Sequence, residues 1–170
     1  GMQKYLQKRH PTCFEDLVIL NCMYRPGPME YISTLVRQKH SKKAVKYIIP
    51  CMEKYLHNTY GIIVYQEQIM MLSRLIANFD RGESDLLRKA LGKKKMDVLS
   101  VLKPRFIQGG IKNGYKKNAL EKVWNEMEAK GMYAFQKSHA VCYTWLAYQI
   151  AYLKANYPDE FKQALEKYSD

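Results

Sequence analysis

The 170-residue chain has no Asp-x-Asp string, no Cys-x-x-Cys pair and no apolar run near the roughly 18 residues of a membrane-spanning helix. Each absence excludes something. A metal-dependent nuclease or nucleotidyl transferase needs at least two carboxylates converging on its cations. The acids two residues apart are Glu83/Asp85 and Glu126/Glu128, and on a helix such residues stand about 200° apart around the axis. No catalytic residue and no metal site is therefore expected within this chain. Cys13, Cys22, Cys51 and Cys142, with His57 six residues after Cys51, lack the paired spacing of a zinc site, which reads as reduced thiols in a cytoplasmic protein rather than zinc or disulfide chemistry. Gly1–Lys4 lacks the apolar segment of a signal peptide, and no membrane partner is expected. No stretch alternates apolar and polar residues for long enough to make a strand. The expected fold is all-α, an irregular set of helices in one unit over residues 1–170.

Acidic residues are scarce. Sixteen Asp and Glu face 28 Lys and Arg, a net charge of +12. Residues 81–117 hold eleven of those cations against three acids, a net +8 within that segment. Like charges this dense repel one another and weaken the compact state, so a polyanionic partner is the physical reason to keep them.

The helical periodicity can be followed along the chain. Thr12-Cys13-Phe14-Glu15 has the form of a capping box, opening a helix that stops before Pro26. Arg25-Pro26-Gly27-Pro28 is a stiff turn, followed by a helix from Met29 to about Lys39. Pro50 opens a short helix that ends near Gly61. Ile62 to Phe79 reads as a long apolar helix interrupted by Gln66-Glu67-Gln68, a polar stripe facing solvent or a neighbour. Glu83 to Leu91 is helical, closed by Gly92, and a basic helix runs from about Lys95 to Lys112 through a kink at Pro104. Leu120, Val123, Trp124 and Met127 form an i, i+3, i+4, i+7 core stripe on a helix from Asn118 to Lys130. Ser138 caps a last long helix to Asn156, whose Ala140, Ala147, Ala151 and Ala155 allow a close helical neighbour.

Two places carry candidate chemistry. On the helix Glu83–Leu91, Arg88 falls on the side of Leu91 and Lys95, whereas Lys89 falls on that of Asp85 and Lys93. An Asp85–Lys89 surface pair accounts for Lys89. Lys93, Lys94, Lys95, Lys103 and Arg105, with only Asp97 among them, point to phosphate. At Phe135-Gln136-Lys137-Ser138-His139 a helix start supplies free N–H groups, and Lys137, Ser138 and His139 would complete an anion cradle. A plain Ser cap beside a surface Lys explains the same residues. Arg25 offers a further cation, and Tyr60, Tyr65, Tyr133, Tyr143 and Tyr148 either stack on bases or fill the core.

Four strings in register give a resemblance. They are Tyr24-Arg25-Pro26-Gly27-Pro28-Met29; Tyr60-Gly61-Ile62-Ile63-Val64-Tyr65-Gln66-Glu67-Gln68-Ile69-Met70; Gly82-Glu83-Ser84-Asp85-Leu86-Leu87-Arg88-Lys89-Ala90-Leu91-Gly92-Lys93-Lys94-Lys95; and Lys137-Ser138-His139-Ala140 with Tyr148-Gln149 and Tyr152-Leu153-Lys154-Ala155. Together, from about Met2 to Phe161, the chain resembles the fingers domain of the bacterial replicative DNA polymerase III alpha subunit. The resemblance implies a segment that closes over template-primer DNA and an incoming deoxynucleoside triphosphate. Arg88, Lys89, Lys137, Ser138, His139 and Arg25 would meet the nucleotide, and Lys93, Lys94, Lys95, Lys103 and Arg105 the DNA.

The resemblance also implies that the catalytic aspartates and their Mg2+ belong to a palm domain with no counterpart here, nor is there a thumb. The chain alone would then bind no cofactor and catalyse nothing, with the rest of the alpha subunit as its partner. Lys89 stands where a second arginine is usual, which turns a bidentate grip into a point charge. Gln136 replaces a common Asn and Ala134 a common Gly. Two other readings of these residues stay open, a free-standing basic module binding nucleic acid non-specifically and a truncated, inactive remnant.

Overall fold

A computed structural model describes residues 2–41 and 44–168. Among them are ten α-helices: α1 (Met2–Arg9), α2 (Phe14–Met23), α3 (Ile32–His40), α4 (Glu53–Leu56) and α5 (Gln66–Ala77), then α6 (Arg81–Gly92), α7 (Met96–Lys112), α8 (Lys117–Gly131), α9 (Lys137–Asn156) and α10 (Pro158–Tyr168). Short 3-10 turns cover Pro28–Tyr31, Pro50–Met52 and His57–Thr59. The all-α expectation holds, and the one β-type pairing among the described residues is an isolated parallel bridge between Tyr65 and Phe135.

That bridge marks the main departure. Ile62-Ile63-Val64 is a β-branched run whose side chains lose freedom in a helix, and it stays outside α5, which begins at Gln66 rather than Ile62. Its side chains alternate between two cores. Ile63 enters the larger one with Leu72, Leu87, Phe106, Trp124 and Met127, under α4–α8. Ile62 and Val64 enter the smaller one with Val18, Ile19, Leu35 and Ala140, under α1–α3 and the start of α9. A period of two is what an extended segment imposes. In the larger core the predicted stripe is fully buried, and Phe106 packs on Trp124 at 5.6 Å between ring centroids, worth about 1 kcal/mol beyond area alone.

Other boundaries shift for local reasons. Cys13, not Thr12, precedes α2 as its N-cap without a side-chain bond. Thr12 donates its backbone N–H to Asp16 instead, at 2.9 Å. Asp16 is buried between Arg9 at 2.7 Å and Lys39, and Glu15 is left for the site described below. Gly92 closes no turn, because the left-handed residue after α6 is Lys94 at φ 51. Lys95 N–H then reaches back to Ala90 O at 2.9 Å.

Along α9 the small-residue expectation holds at Ala140, which is buried, and no further. Thr144 is tied to α2 by a 3.1 Å bond from Asn21. Beyond it Ala147, Ala151 and Ala155 are exposed, together with Trp145, Leu146, Ile150 and Leu153. No described helix is long and apolar enough to cross a membrane.

Candidate functional site

The site is built from the first turn of α5. Tyr65 is extended, and Gln68, three residues on, folds back so that its amide oxygen accepts the N–H groups of Val64 at 2.8 Å and Tyr65 at 3.0 Å. The amide nitrogen of Gln68 donates to Tyr55 O at 3.0 Å and Thr59 Oγ1 at 2.8 Å. All four bonding positions of the side chain are filled inside the protein. With its edge held in this way, the extended segment pairs with residue 135: Phe135 N–H donates to Val64 O and Gln66 N–H to Phe135 O, both at 2.9 Å. The chain two residues before α9 is thereby docked on the start of α5.

The turn then reaches in two directions. Glu67 sets both carboxylate oxygens 3.1 Å from the backbone nitrogen of Lys137, the first residue of α9, where the helix dipole favours an anion. Gln66 accepts a bond from Arg88 Nη1 at 3.2 Å, across to α6. Of the two expectations for Gln66-Glu67-Gln68, solvent or a neighbour, the neighbour holds. This turn is the junction that brings α6 and α9 to one place.

At the α9 end, Lys137 Nζ lies 3.0 Å from Glu15 Oε1 and 5.0 Å from the centre of the Tyr65 ring. The Tyr65 hydroxyl donates to the same Glu15 oxygen at 2.9 Å. Burial, then the charge of Glu15, push that hydroxyl well above its ordinary pKa, so it stays a donor. The N-cap is Gln136 and not Ser138, which is the exposed second residue of α9. The expected cradle of free N–H groups is thus partly filled, since Glu67 already occupies that of Lys137. His139 is exposed between the rings of Phe135, at 5.5 Å, and Tyr143, at 4.5 Å.

At the α6 end the expected Asp85–Lys89 pair is present, and Arg88, expected on the side of Leu91 and Lys95, bends to the same carboxylate. Asp85 Oδ1 accepts from Arg88 Nε at 2.9 Å and Nη2 at 2.7 Å, and Oδ2 is 2.7 Å from Lys89 Nζ. Bonds from Lys89, then Arg88, hold the Asp85 carboxyl below its ordinary pKa. Lys93, Lys94 and Lys95 form the exposed turn after α6, and none has an ion-pair partner among the described residues. Lys103 is half-buried on α7. Arg105 is committed elsewhere. Its Nε pairs with Glu83 Oε1 at 3.0 Å and its Nη atoms donate to Ala77 O at 3.1 Å and Asn78 O at 3.3 Å, bracing the end of α5 against the start of α6.

Arg25 also braces: Nε donates to Cys22 O at 2.8 Å, Nη2 to Tyr133 O, and the guanidinium lies 4.7 Å from the Phe135 ring centre. Below it the buried thiol of Cys22 is pushed up to about 12, chiefly by desolvation. Gly27, at φ 95, leaves no room for a Cβ against the Tyr133 ring. Arg25-Pro26-Gly27-Pro28 thus seats residues 133–135 just before α9.

The acids expected to be unable to share a cation are spent separately, Glu83 on Arg105 and on the N–H of Asp80, Asp85 on Arg88 and Lys89. What sequence reasoning missed is the role of Glu15, Gln66, Glu67 and Gln68. The available signal was three polar residues placed one position after a β-branched run.

Comparison with known proteins gives the family. Residues 1–114 match the family model described as the bacterial DNA polymerase III alpha subunit finger domain. Over 163 residues the chain is 44% identical to DNA polymerase III subunit alpha of Aquifex aeolicus, covering 95% of this chain and 14% of that protein. It is 45% identical over 165 residues to the subunit alpha of Halalkalibacterium halodurans, covering 97% and 15%, and 44% over 164 residues to that of Borreliella burgdorferi, covering 96% and 14%. The chain thus spans about one-seventh of the length of these curated relatives. It belongs to the finger-domain family of the bacterial DNA polymerase III alpha subunit.

Proposed function

We propose that this chain is the segment of a replicative DNA polymerase alpha subunit that receives the incoming deoxynucleoside triphosphate and steadies template DNA. The observation that carries this reading is the convergence on the first turn of α5. Gln66 holds Arg88 and Glu67 holds the start of α9, so cations 49 positions apart in sequence, Arg88 and Lys137, flank one turn. Arg88, Lys89 and Lys137 would meet the triphosphate, with Ser138 and His139 beside them. Their contribution is positional and electrostatic, neutralising charge that builds on the phosphates. Mg2+ and the carboxylates that bind it belong to a palm domain outside this chain, which by itself would incorporate no nucleotide.

Lys93, Lys94 and Lys95 would follow the DNA strand, with Lys103 behind them. Lys94 keeps a left-handed backbone that glycine would adopt at lower cost. A cation retained there is consistent with a phosphate contact. Arg105 and Arg25, saturated by internal partners, would act by bracing the site. The apolar length of α9 beyond Thr144 supports a place within a larger alpha subunit, since a helix exposing Trp145, Leu146, Ile150 and Leu153 ordinarily has a cover.

The test is paired binding of dATP and duplex DNA. The Arg88→Ala/Lys137→Ala variant should lose at least tenfold in dATP affinity. The Lys93→Ala/Lys94→Ala/Lys95→Ala variant should keep dATP binding while its DNA salt slope falls by about 2 to 3. If both variants lose DNA and dATP in the same proportion, the chain is a non-specific basic module.

A further inference from the structure

We propose that Asp85 and Glu15 are internal stand-ins for phosphate, carboxylates that hold Arg88, Lys89 and Lys137 in the unliganded chain and release them when a triphosphate arrives. This rests on the triphosphate reading above and adds two residues that would set its affinity. The pattern of pairing motivates it. In the segment 81–117 three acids face eleven cations. Of these acids, Asp85 is spent on Arg88, which reaches the α5 turn, and on Lys89, at 2.7 Å each, while Lys93, Lys94 and Lys95 carry no such partner among the described residues. Across the turn, Lys137 is held at 3.0 Å by Glu15. Each candidate triphosphate cation is therefore neutralised from within, and the candidate strand lysines are not.

The geometry of these pairs suits exchange. Asp85 grips Arg88 through one oxygen, shared by Nε and Nη2, and not through the parallel two-oxygen fork that makes arginine pairs strong. The side chains of Arg88 and Asp85 are 28% and 36% exposed, and those of Lys137 and Glu15 are 39% and 26% exposed. Pairs this open contribute little net stability, and a triphosphate presents more acceptor oxygens than one carboxylate. Neutral groups stay behind to keep the cations in place, Gln66 on Arg88 Nη1 and the Tyr65 ring under Lys137. The structural cations are wired otherwise: Arg9 is fully buried against Asp16, and Arg105 spreads its guanidinium over Glu83 and two carbonyl oxygens.

The experiment measures binding of inorganic tripolyphosphate and of dATP to the full chain and to Asp85→Asn, Glu15→Gln and Arg88→Ala, with melting curves to verify folding. Exposed Glu160→Gln on α10 controls for net charge. Removing one competing charge about 5 Å from a polyanion should tighten binding of both probes about fivefold per site, the two changes combining, while Glu160→Gln shifts it less than twofold. Asp85→Asn binding no better than Glu160→Gln, or binding more weakly because Asp85 preorganises Arg88, would overturn the inference. In that event the triphosphate reading stands if Arg88→Ala still weakens binding. Should the parent bind neither probe, or Arg88→Ala leave binding unchanged, both fall together.

Discussion

Replacing Gln68 by Leu nearly preserves side-chain volume and removes both ends of the amide. Gln68 is 7% exposed. The change strands the N–H groups of Val64 and Tyr65, which it accepts at 2.8 and 3.0 Å, and deprives Tyr55 O and Thr59 Oγ1 of a donor. Thr59 keeps its own bond to Leu56 O at 3.3 Å, so its loss is small. A buried N–H without a partner costs about 1 to 3 kcal/mol. Two of them, less about 1 kcal/mol regained from burying an extra apolar group, give an expected loss of about 3 kcal/mol. That is a large share of the roughly 5 to 15 kcal/mol that hold a domain together.

Urea unfolding followed by circular dichroism and by the fluorescence of Trp124 and Trp145 measures it. Gln66→Leu is the comparison, since Gln66 makes one side-chain bond, to Arg88, and should cost less than 1 kcal/mol. If Gln68→Leu falls within 1 kcal/mol of the parent, or costs no more than Gln66→Leu, then Gln68 does not hold the extended segment and the reasoning from its four bonds is wrong.

Asp16 predicts an acid-sensitive component of stability. Burial alone would raise its pKa, but bonds from Lys39 and the Thr12 N–H and the charge of Arg9 outweigh it and hold the carboxyl far below its ordinary value. A depressed folded-state value contributes stability above the unfolded pKa near 3.9 and loses it as pH falls below that. Asp16→Asn, which leaves Arg9 buried without its partner, should cost about 3 to 5 kcal/mol at pH 7. The gap from the parent should narrow by pH 3, and a gap that is constant with pH would refute the assignment. Gly109→Ala should cost about 1 to 3 kcal/mol, because its Cβ would sit inside contact distance of the Ala77 carbonyl oxygen and force α7 off α5. Gly92→Ala, which meets nothing within 4 Å, should be neutral or mildly stabilising, and urea unfolding measures both glycine variants.

Much of the fold could be read from periodicity. The Leu120, Val123, Trp124 and Met127 stripe is decided by local apolar spacing, and it, the helix from residue 81 to 92 and the long helix that starts near residue 137 lie where expected. The Ile62–Tyr65 segment was misread because an apolar run before a helix has no period of its own. Its extended form depends on Gln68 and on residue 135, 70 positions from Tyr65, which local reasoning does not see. The cations of the site were legible as charge. Their carboxylate partners were not, since Glu15 meets Lys137 across 122 positions. Asp85 could be matched to Lys89 from helix spacing, while its hold on Arg88 depends on a side-chain bend that spacing alone does not decide.

In the proposed function, the first turn of α5 gathers Arg88, Lys89 and the start of α9 into one triphosphate site. Backbone amide shifts of the isotope-labelled chain during a dATP titration test it most directly. Saturable shifts are expected at Gln66 and Glu67, at Arg88 and Lys89 and at Lys137, Ser138 and His139, with smaller changes at Lys93, Lys94 and Lys95. Shifts spread along residues 93–117 with none at Gln66, Glu67 or Lys137 would contradict the proposed function.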